Sequence, residues 1–239
     1  MLNHLVRYAP VVRLVRELGS GSVLEVGSGT AGLAGSLGPG FAVTALDRTF
    51  ESQGAPDVPA KRVVGDVRSL SFADRSFDAV VALDVLEHVE PRDRTRALAE
   101  LVRTTRRRLV VGCPTGERAL AADRYIGRVL TGRGETYAGS WLEDHLEHGF
   151  PRRWEIVATL DRAGSVRCLR NENVWTHRVL MRAEVSRRTR RLTDGLEGLL
   201  ASALGPSGAR ARAASLLLWV TRGGDCPPTY RTIFVLDRD

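Results

Sequence analysis

Lysine is almost missing from this 239-residue chain: Lys61 is the only one, so arginine supplies 34 of the 35 basic residues. Such lopsided usage, beside abundant Ala, Gly, Val and Leu, reflects GC-rich coding. The net charge of +7 and pI of about 10.1 are therefore discounted as signs of a nucleic-acid or anionic-membrane partner. Arg106-Arg107-Arg108, Arg152-Arg153 and Arg187-Arg188 with Arg190-Arg191 are local clusters, read as solvated helix faces and strand entries. Cysteine is scarce too. Cys113, Cys168 and Cys226 include no CxxC pair, which excludes a disulfide framework or cysteine zinc site and fits a reducing cytoplasm. No apolar run approaches the roughly 18 residues of a membrane span; the longest, Ala213 to Val220, is too short. The N-terminus carries Arg7, Arg13 and Arg16 and lacks a small-residue cleavage site, so a signal peptide is not expected.

What is present is ordinary for a folded chain: 43% hydrophobic and 26% charged residues. One domain with a substantial insertion suits this length. Leu5, Tyr8, Val12 and Val15 stand at helical spacing, predicting a leading amphipathic helix over residues 3–18, which Gly19-Ser20-Gly21 stops. Short apolar runs then recur at Ser22 to Val26, Phe41 to Leu46, Arg62 to Gly65, Asp78 to Leu83 and Arg108 to Cys113. Rich in Val and Leu without polar alternation, they predict a parallel sheet covered on both faces. Helices are expected over Thr30 to Leu37, Arg94 to Arg106, Glu117 to Leu130, Arg152 to Ala163, Val174 to Val185, Arg187 to Leu204 and Ala209 to Val220. Late strands are expected at Val166 to Leu169 and Tyr230 to Leu236.

Val23-Leu24-Glu25-Val26-Gly27-Ser28-Gly29-Thr30-Ala31-Gly32 reads as a buried strand turning sharply into a helix. Glycines there admit positive φ and let backbone N–H groups face a ligand. Asp47 ends the second apolar run, where a carboxylate can accept both hydroxyls of a ribose. The pair points to a nucleoside-containing cofactor. Gly27, Gly29 and Gly32 also satisfy the dinucleotide fingerprint, so the turn alone leaves the cofactor open.

The order that follows, Val63-Val64-Gly65-Asp66-Val67, then Leu70 to Asp78, then Leu83-Asp84-Val85-Leu86-Glu87-His88-Val89, resembles the class I S-adenosylmethionine-dependent methyltransferases, in particular those acting on small molecules. The resemblance covers roughly residues 20–115. It implies a Rossmann-like, doubly wound α/β sheet of seven strands, mostly parallel with an antiparallel last strand. It also implies S-adenosyl-L-methionine as cofactor. Gly27 and Gly29 would line its methionine part, with Glu25 ordering the loop or meeting the amino group through water. Asp47 would take the ribose, Asp66 and Val67 the adenine, and Leu83 and Asp84 would border the methionine and its methyl. Glu87 and His88 would fix the following loop. The fourth strand does not end in Asn-Pro-Pro-aromatic, which speaks against methylation of nucleic-acid bases.

Methyl transfer from a sulfonium needs mainly alignment, and a base only where the nucleophile arrives protonated. Trp141 to Pro151 holds the candidates His145 and His148, histidine being the residue type suited to taking a proton from a hydroxyl. The two histidines with Glu143 and Glu147 also suit a salt-bridged lid surface. Asp144, His145 and His148 allow a metal reading, but their spacing specifies no site and no metal is assigned. Cys113 before Pro114 reads as packing.

The expected layout is residues 1–19 as N-terminal helix, 20–170 as cofactor-binding core, 171–229 as a helical insertion and 230–239 as last strand. The insertion suits a lid in which Trp175, His177, Arg178 and Trp219 reach substrate, a core supplement, or a homodimer face. Its arginine-led apolar stripe also suits a membrane surface, and with it a glycan or lipid-linked acceptor. The reading is a cytoplasmic S-adenosylmethionine-dependent methyltransferase acting on an oxygen or nitrogen of a small molecule, with neither a nucleic-acid partner nor an integral membrane segment. The alternatives are a binding or scaffold protein that kept the fold, and a nicotinamide-dependent oxidoreductase. The latter predicts a Tyr-x-x-x-Lys constellation that a chain with only Lys61 does not offer.

Overall fold

A computed structural model describes residues 2–29, 32–50, 60–184 and 226–238. Seven strands form one sheet: β1 (Gly21–Val26), β2 (Phe41–Asp47), β3 (Ala60–Val64), β4 (Phe77–Leu83), β5 (Thr105–Pro114), β6 (Val166–Asn173) and β7 (Thr229–Asp237). Their order is β3-β2-β1-β4-β5-β7-β6. The pairings among β1 to β5 are parallel, and β7 runs antiparallel to both β5 and β6.

Side chains alternate across the pleat, so each central strand feeds two cores. Leu24, Val26, Val80, Ala82, Leu109, Val111, Phe234 and Leu236 face one side. There they meet Leu98 and Leu101 of α3 (Arg94–Thr104) and Ile156 and Leu160 of α6 (Arg153–Leu160). Val23, Val43, Ala79, Val81, Val110, Ile233 and Val235 face the other, against Val11 and Val15 of α1 (Leu2–Arg16) and Leu33 and Leu37. Burial on both faces is why these strands lack polar alternation.

The helix expected from Thr30 is short. α2 spans only Ala34–Leu37, and Thr30 and Ala31 lie outside the described residues. Three glycines from Gly32 to Gly38, two of them at positive φ, leave little helix to propagate. Three further helices, α4 (Gly116–Thr131), α5 (Trp141–His148) and α7 (Val174–Glu184), share smaller apolar clusters with Tyr230 and Phe150. β6 continues to Asn173, into the range expected for the insertion. The helices expected over residues 187–204 and 209–220, and Trp219, lie outside the described residues.

Sheet order reverses between β1 and β4, which pair in parallel. A reversal of this kind opens a crevice at the carboxyl ends of the strands, where α/β sheets bind ligands. The ends of β1 to β4 carry Gly27, Asp47, Gly65-Asp66 and Leu83-Asp84, so parallel register alone sets these residues along one rim.

Candidate active site

The glycine turn is pinned from beneath. Glu25 is 1% exposed and its Oε2 accepts the Leu33 N–H at 2.9 Å. Burial holds its carboxyl protonated up to about pH 7. Gly27 has φ of 72°, and a Cβ there would run into Val85. Gly29, with φ of 56°, differs: a Cβ would meet no atom within 4 Å. The space over Gly29 is therefore open to a ligand. Asp47 reaches across from β2, its Oδ2 accepting the Gly29 N–H at 2.8 Å, while among the described residues Oδ1 has only a 3.4 Å contact to the Thr49 N–H. This cradle fits the ribose and amino-acid part of a nucleoside cofactor.

The next two acids are engaged. Asp66 forms a two-pronged pair with Arg68, Oδ1 with Nε at 3.0 Å and Oδ2 with an amino nitrogen at 2.7 Å. That hydrogen bonding holds its carboxyl down at about 2. An adenine amine would share Asp66 with this guanidinium. Val67 is buried beside it. Leu83 is buried at the end of β4, and Asp84 follows at φ of 55°. Arg231 of β7 grips Asp84 at 2.7 and 2.9 Å, and Arg7 of α1 reaches it at 2.8 Å. Burial works against the charge of Asp84, but the two guanidinium groups outweigh it and hold its carboxyl at about 2.

From Asp84 a chain of buried charges runs behind the rim. Arg231 also donates to Glu172 at 2.8 Å. Glu172, at the end of β6, meets Nδ1 of His177 at 3.1 Å, and Nε2 of His177 lies 3.3 Å from Asp123 of α4. Asp123 accepts from the Tyr230 hydroxyl at 3.0 Å and pairs with Nδ1 of His145 at 2.6 Å. His177 also stacks on Tyr230, ring centroids 3.4 Å apart. Burial disfavours its charge, yet Glu172 and Asp123 raise its pKa to about 9.

The two histidines of α5 are placed differently. His145 is 5% exposed and faces a 3₁₀ turn, η1 (Leu86–His88), with its ring centroid 4.9 Å from that of His88. His148 lies three residues on, where its carbonyl accepts from Arg94 at 3.2 Å and its Nδ1 is buried with no partner among the described residues. His88 binds Asp144 at 2.9 Å, and Glu87 is fully buried. Desolvation and the nearby charge of Asp84 push the Glu87 carboxyl well above the usual range.

The structure thus gathers Gly27, Gly29 and Asp47 at one end of the rim and Asp84, Glu87, His88 and His145 at the other. Among the residues expected to reach substrate, His177 is buried within the charge chain, while Trp175 is 62% exposed under the Arg178 guanidinium. Sequence reasoning missed Arg7, Asp123, Glu172 and Arg231. The available signal was charge inside otherwise apolar segments, such as Arg231 in Tyr230 to Leu236.

Residues 24–108 match the methyltransferase domain family. Among solved structures, magnesium protoporphyrin IX methyltransferase from Synechocystis, with bound S-adenosylhomocysteine, is 15% identical over 99% of this chain and 84% of its own, with a TM-score of 0.55. An N-methyltransferase from Bradyrhizobium japonicum, bound to the same product, is 17% identical over 70% and 78% of the two chains, at a TM-score of 0.50. The 1,6-didemethyltoxoflavin-N1-methyltransferase from Burkholderia thailandensis is 24% identical over 45% of this chain, with a TM-score of 0.40; this chain spans only 52% of its length. The comparison with curated protein sequences gives no match. The matched residues run from β1 into β5, and the likeness to the solved methyltransferase structures is one of fold.

Proposed function

We propose that this protein moves a methyl group from S-adenosylmethionine to an oxygen or nitrogen of a small-molecule acceptor by in-line displacement. The observation that carries the reading is the open cradle between Gly29 and Asp47 at the point where strand order reverses. When bound, the cofactor supplies a sulfonium whose leaving group is a neutral thioether. Gly27 and Gly29 let the backbone approach its methionine part, and Glu25 keeps their turn in shape. Asp47 accepts from the ribose hydroxyls, Asp66 and Val67 hold the adenine, and Leu83 with Asp84 borders the methyl. Such alignment supplies much of the rate in a displacement of this kind.

A hydroxyl acceptor also has to lose a proton. His145 is the better placed base, because Asp123 fixes its ring and stabilises the imidazolium formed when Nε2 takes the proton. His148 is the second candidate and has no such carboxylate. The bound product in the Synechocystis and Bradyrhizobium structures supports the choice of cofactor, and the latter's N-methyltransferase activity keeps nitrogen among the acceptors.

Calorimetry with S-adenosylmethionine, S-adenosylhomocysteine and NADH tests the reading: the two sulfur nucleosides bind and NADH does not. Failure of both to bind leaves a scaffold that kept the fold. Once extracts incubated with labelled cofactor reveal an acceptor, His145→Ala should lower turnover about 10²- to 10⁴-fold with cofactor affinity unchanged. Unchanged turnover in both His145→Ala and His148→Ala removes the base assignment.

A further inference from the structure

Three ligand-type side chains converge at the acidic end of the rim from segments far apart in sequence. Glu87 and His88 come from η1, directly after β4, and His145 comes from α5; one ligating atom of each lies within 4.8 Å of the other two. Both rings are held from behind. Nδ1 of His145 is bound to Asp123 at 2.6 Å and Nδ1 of His88 to Asp144 at 2.9 Å. A carboxylate on Nδ1 draws the proton there and leaves Nε2 as a bare lone pair, the arrangement that orients histidines at metal centres.

Burial removes water as the partner of what remains. Glu87 is fully buried, and among the described residues neither carboxylate oxygen meets a hydrogen-bond partner outside its own backbone. Nε2 of His145 is likewise buried, with no partner among the described residues. Interior polar atoms are nearly always satisfied, and an unpaired carboxylate facing an unpaired imidazole nitrogen is costly. A single cation between them satisfies both. A proton on Glu87 leaves both groups without a hydrogen-bond partner among the described residues.

We propose that Glu87, His88 and His145 bind one divalent first-row transition-metal ion, with Asp123 and Asp144 orienting the two imidazoles. Two neutral nitrogens and one carboxylate suit zinc, cobalt or ferrous iron and disfavour magnesium and calcium, which take oxygen ligands. Three protein ligands leave a position open, as catalytic rather than structural sites do. Resting on the proposed methyl transfer, the ion has a defined use: a hydroxyl acceptor bound at the open position gives up its proton to solvent more readily. The oxyanion then attacks the methyl group, the O–C bond forming as the S–C bond breaks and the thioether leaving with the electron pair. In the loaded protein His145 serves as ligand and not as base. Of the three residues that the sequence offers for a metal, His145 alone is a ligand, Asp144 orients His88, and His148 stands outside the group.

The tag-free full chain, stripped with a chelator, is titrated with Zn²⁺ by calorimetry and with Co²⁺ by visible absorption. The expected result is one ion per chain, a Co²⁺ spectrum displaced from that of the aqueous ion, and a melting temperature raised by Zn²⁺. Asp144→Asn should weaken Zn²⁺ binding about 10- to 100-fold, the usual effect of removing an orienting carboxylate, and Glu87→Gln by at least as much. Should Glu87→Gln fail to fold, the wild-type Co²⁺ spectrum and Asp144→Asn, on a half-exposed side chain, still decide the matter. No stoichiometric binding by the wild type, or an affinity indifferent to both substitutions, overturns the site. Calorimetry with S-adenosylhomocysteine on the stripped protein separates the two proposals. Cofactor binding without metal binding sinks only the metal site, and metal binding without cofactor binding sinks only the methyl-transfer reading.

Discussion

The two ends of the rim are built by opposite means. Around β1 and β2 everything lies between residues 25 and 47 and acts through the main chain: glycines at positive φ, with Glu25 and Asp47 each holding a backbone N–H. Around β4 and β7 the wall consists of buried charges drawn from α1, β4, α4, α5, β6, α7 and β7. Each charge there is another's partner, from Arg7 and Asp84 through Arg231, Glu172 and His177 to Asp123 and His145. The first end can lose a carboxylate and keep its fold. The second cannot, because removing one member leaves uncompensated charge in the interior.

Arg231→Leu is the hardest blow to that contrast. It takes the forked grip from Asp84 and the guanidinium from Glu172, and should cost about 3–5 kcal/mol in urea unfolding. Lysine should rescue little, since an ammonium cannot serve both carboxylates in the geometry of the fork. A loss under about 1 kcal/mol would show that the charges are independent, as exposed pairs are.

The same contrast explains what could be read from the sequence. The strands were legible because burial on both faces makes them uniform apolar runs, and the glycine turn because its conformational demand is written in adjacent residues. Asp47, Asp66 and Asp84 were legible as acids at strand ends, since parallel register brings such ends together. Their partners were not. Arg68 takes Asp66 from only two residues away, whereas Arg231 is 147 residues from Asp84 and reaches it only because β7 inserts between β5 and β6. The end of β6 was missed for a related reason. Asn171, Glu172 and Asn173 look like loop in a hydropathy pattern, yet all three are buried strand; Arg231 and His177 satisfy Glu172, and the Trp175 N–H satisfies Asn173. His145 was found by its chemistry, but its grouping with Glu87 and His88 depends on α5 packing over η1.

Stability against pH should register both ends separately. Glu25, buried beside Tyr8 and facing the charge of Asp47, has its carboxyl raised from 4.5 to about 7. Between those values the native state binds more protons than the unfolded chain, so stability falls as pH rises through that window. His177, between Glu172, Asp123 and Tyr230, is raised from 6.5 to about 9. Its contribution is complete below about 6.5 and is lost as pH climbs through about 9. Denaturation midpoints measured across the range should therefore decline in two stages. Glu25→Gln should diminish the lower stage, to which the buried Glu87 carboxyl also contributes, and His177→Gln should flatten the upper. A lower stage undiminished in Glu25→Gln would move the titrating group elsewhere.

Asp47→Ala should produce the mildest effect, and one confined to binding. The substitution removes the acceptor proposed for the ribose hydroxyls and the tether on the Gly29 N–H, for a loss of about 1–3 kcal/mol in affinity for S-adenosylhomocysteine by calorimetry. Unfolding should hardly change, because Asp47 is only half-buried and pairs with no charged group among the described residues. Asp47→Asn divides the two roles. Its amide oxygen can still accept from Gly29, but the side chain no longer offers two acceptors to a ribose. A loss smaller than that of alanine assigns part of the effect to the tether. Equal losses assign it to the sugar, and an unchanged affinity in both variants takes Asp47 out of the binding site.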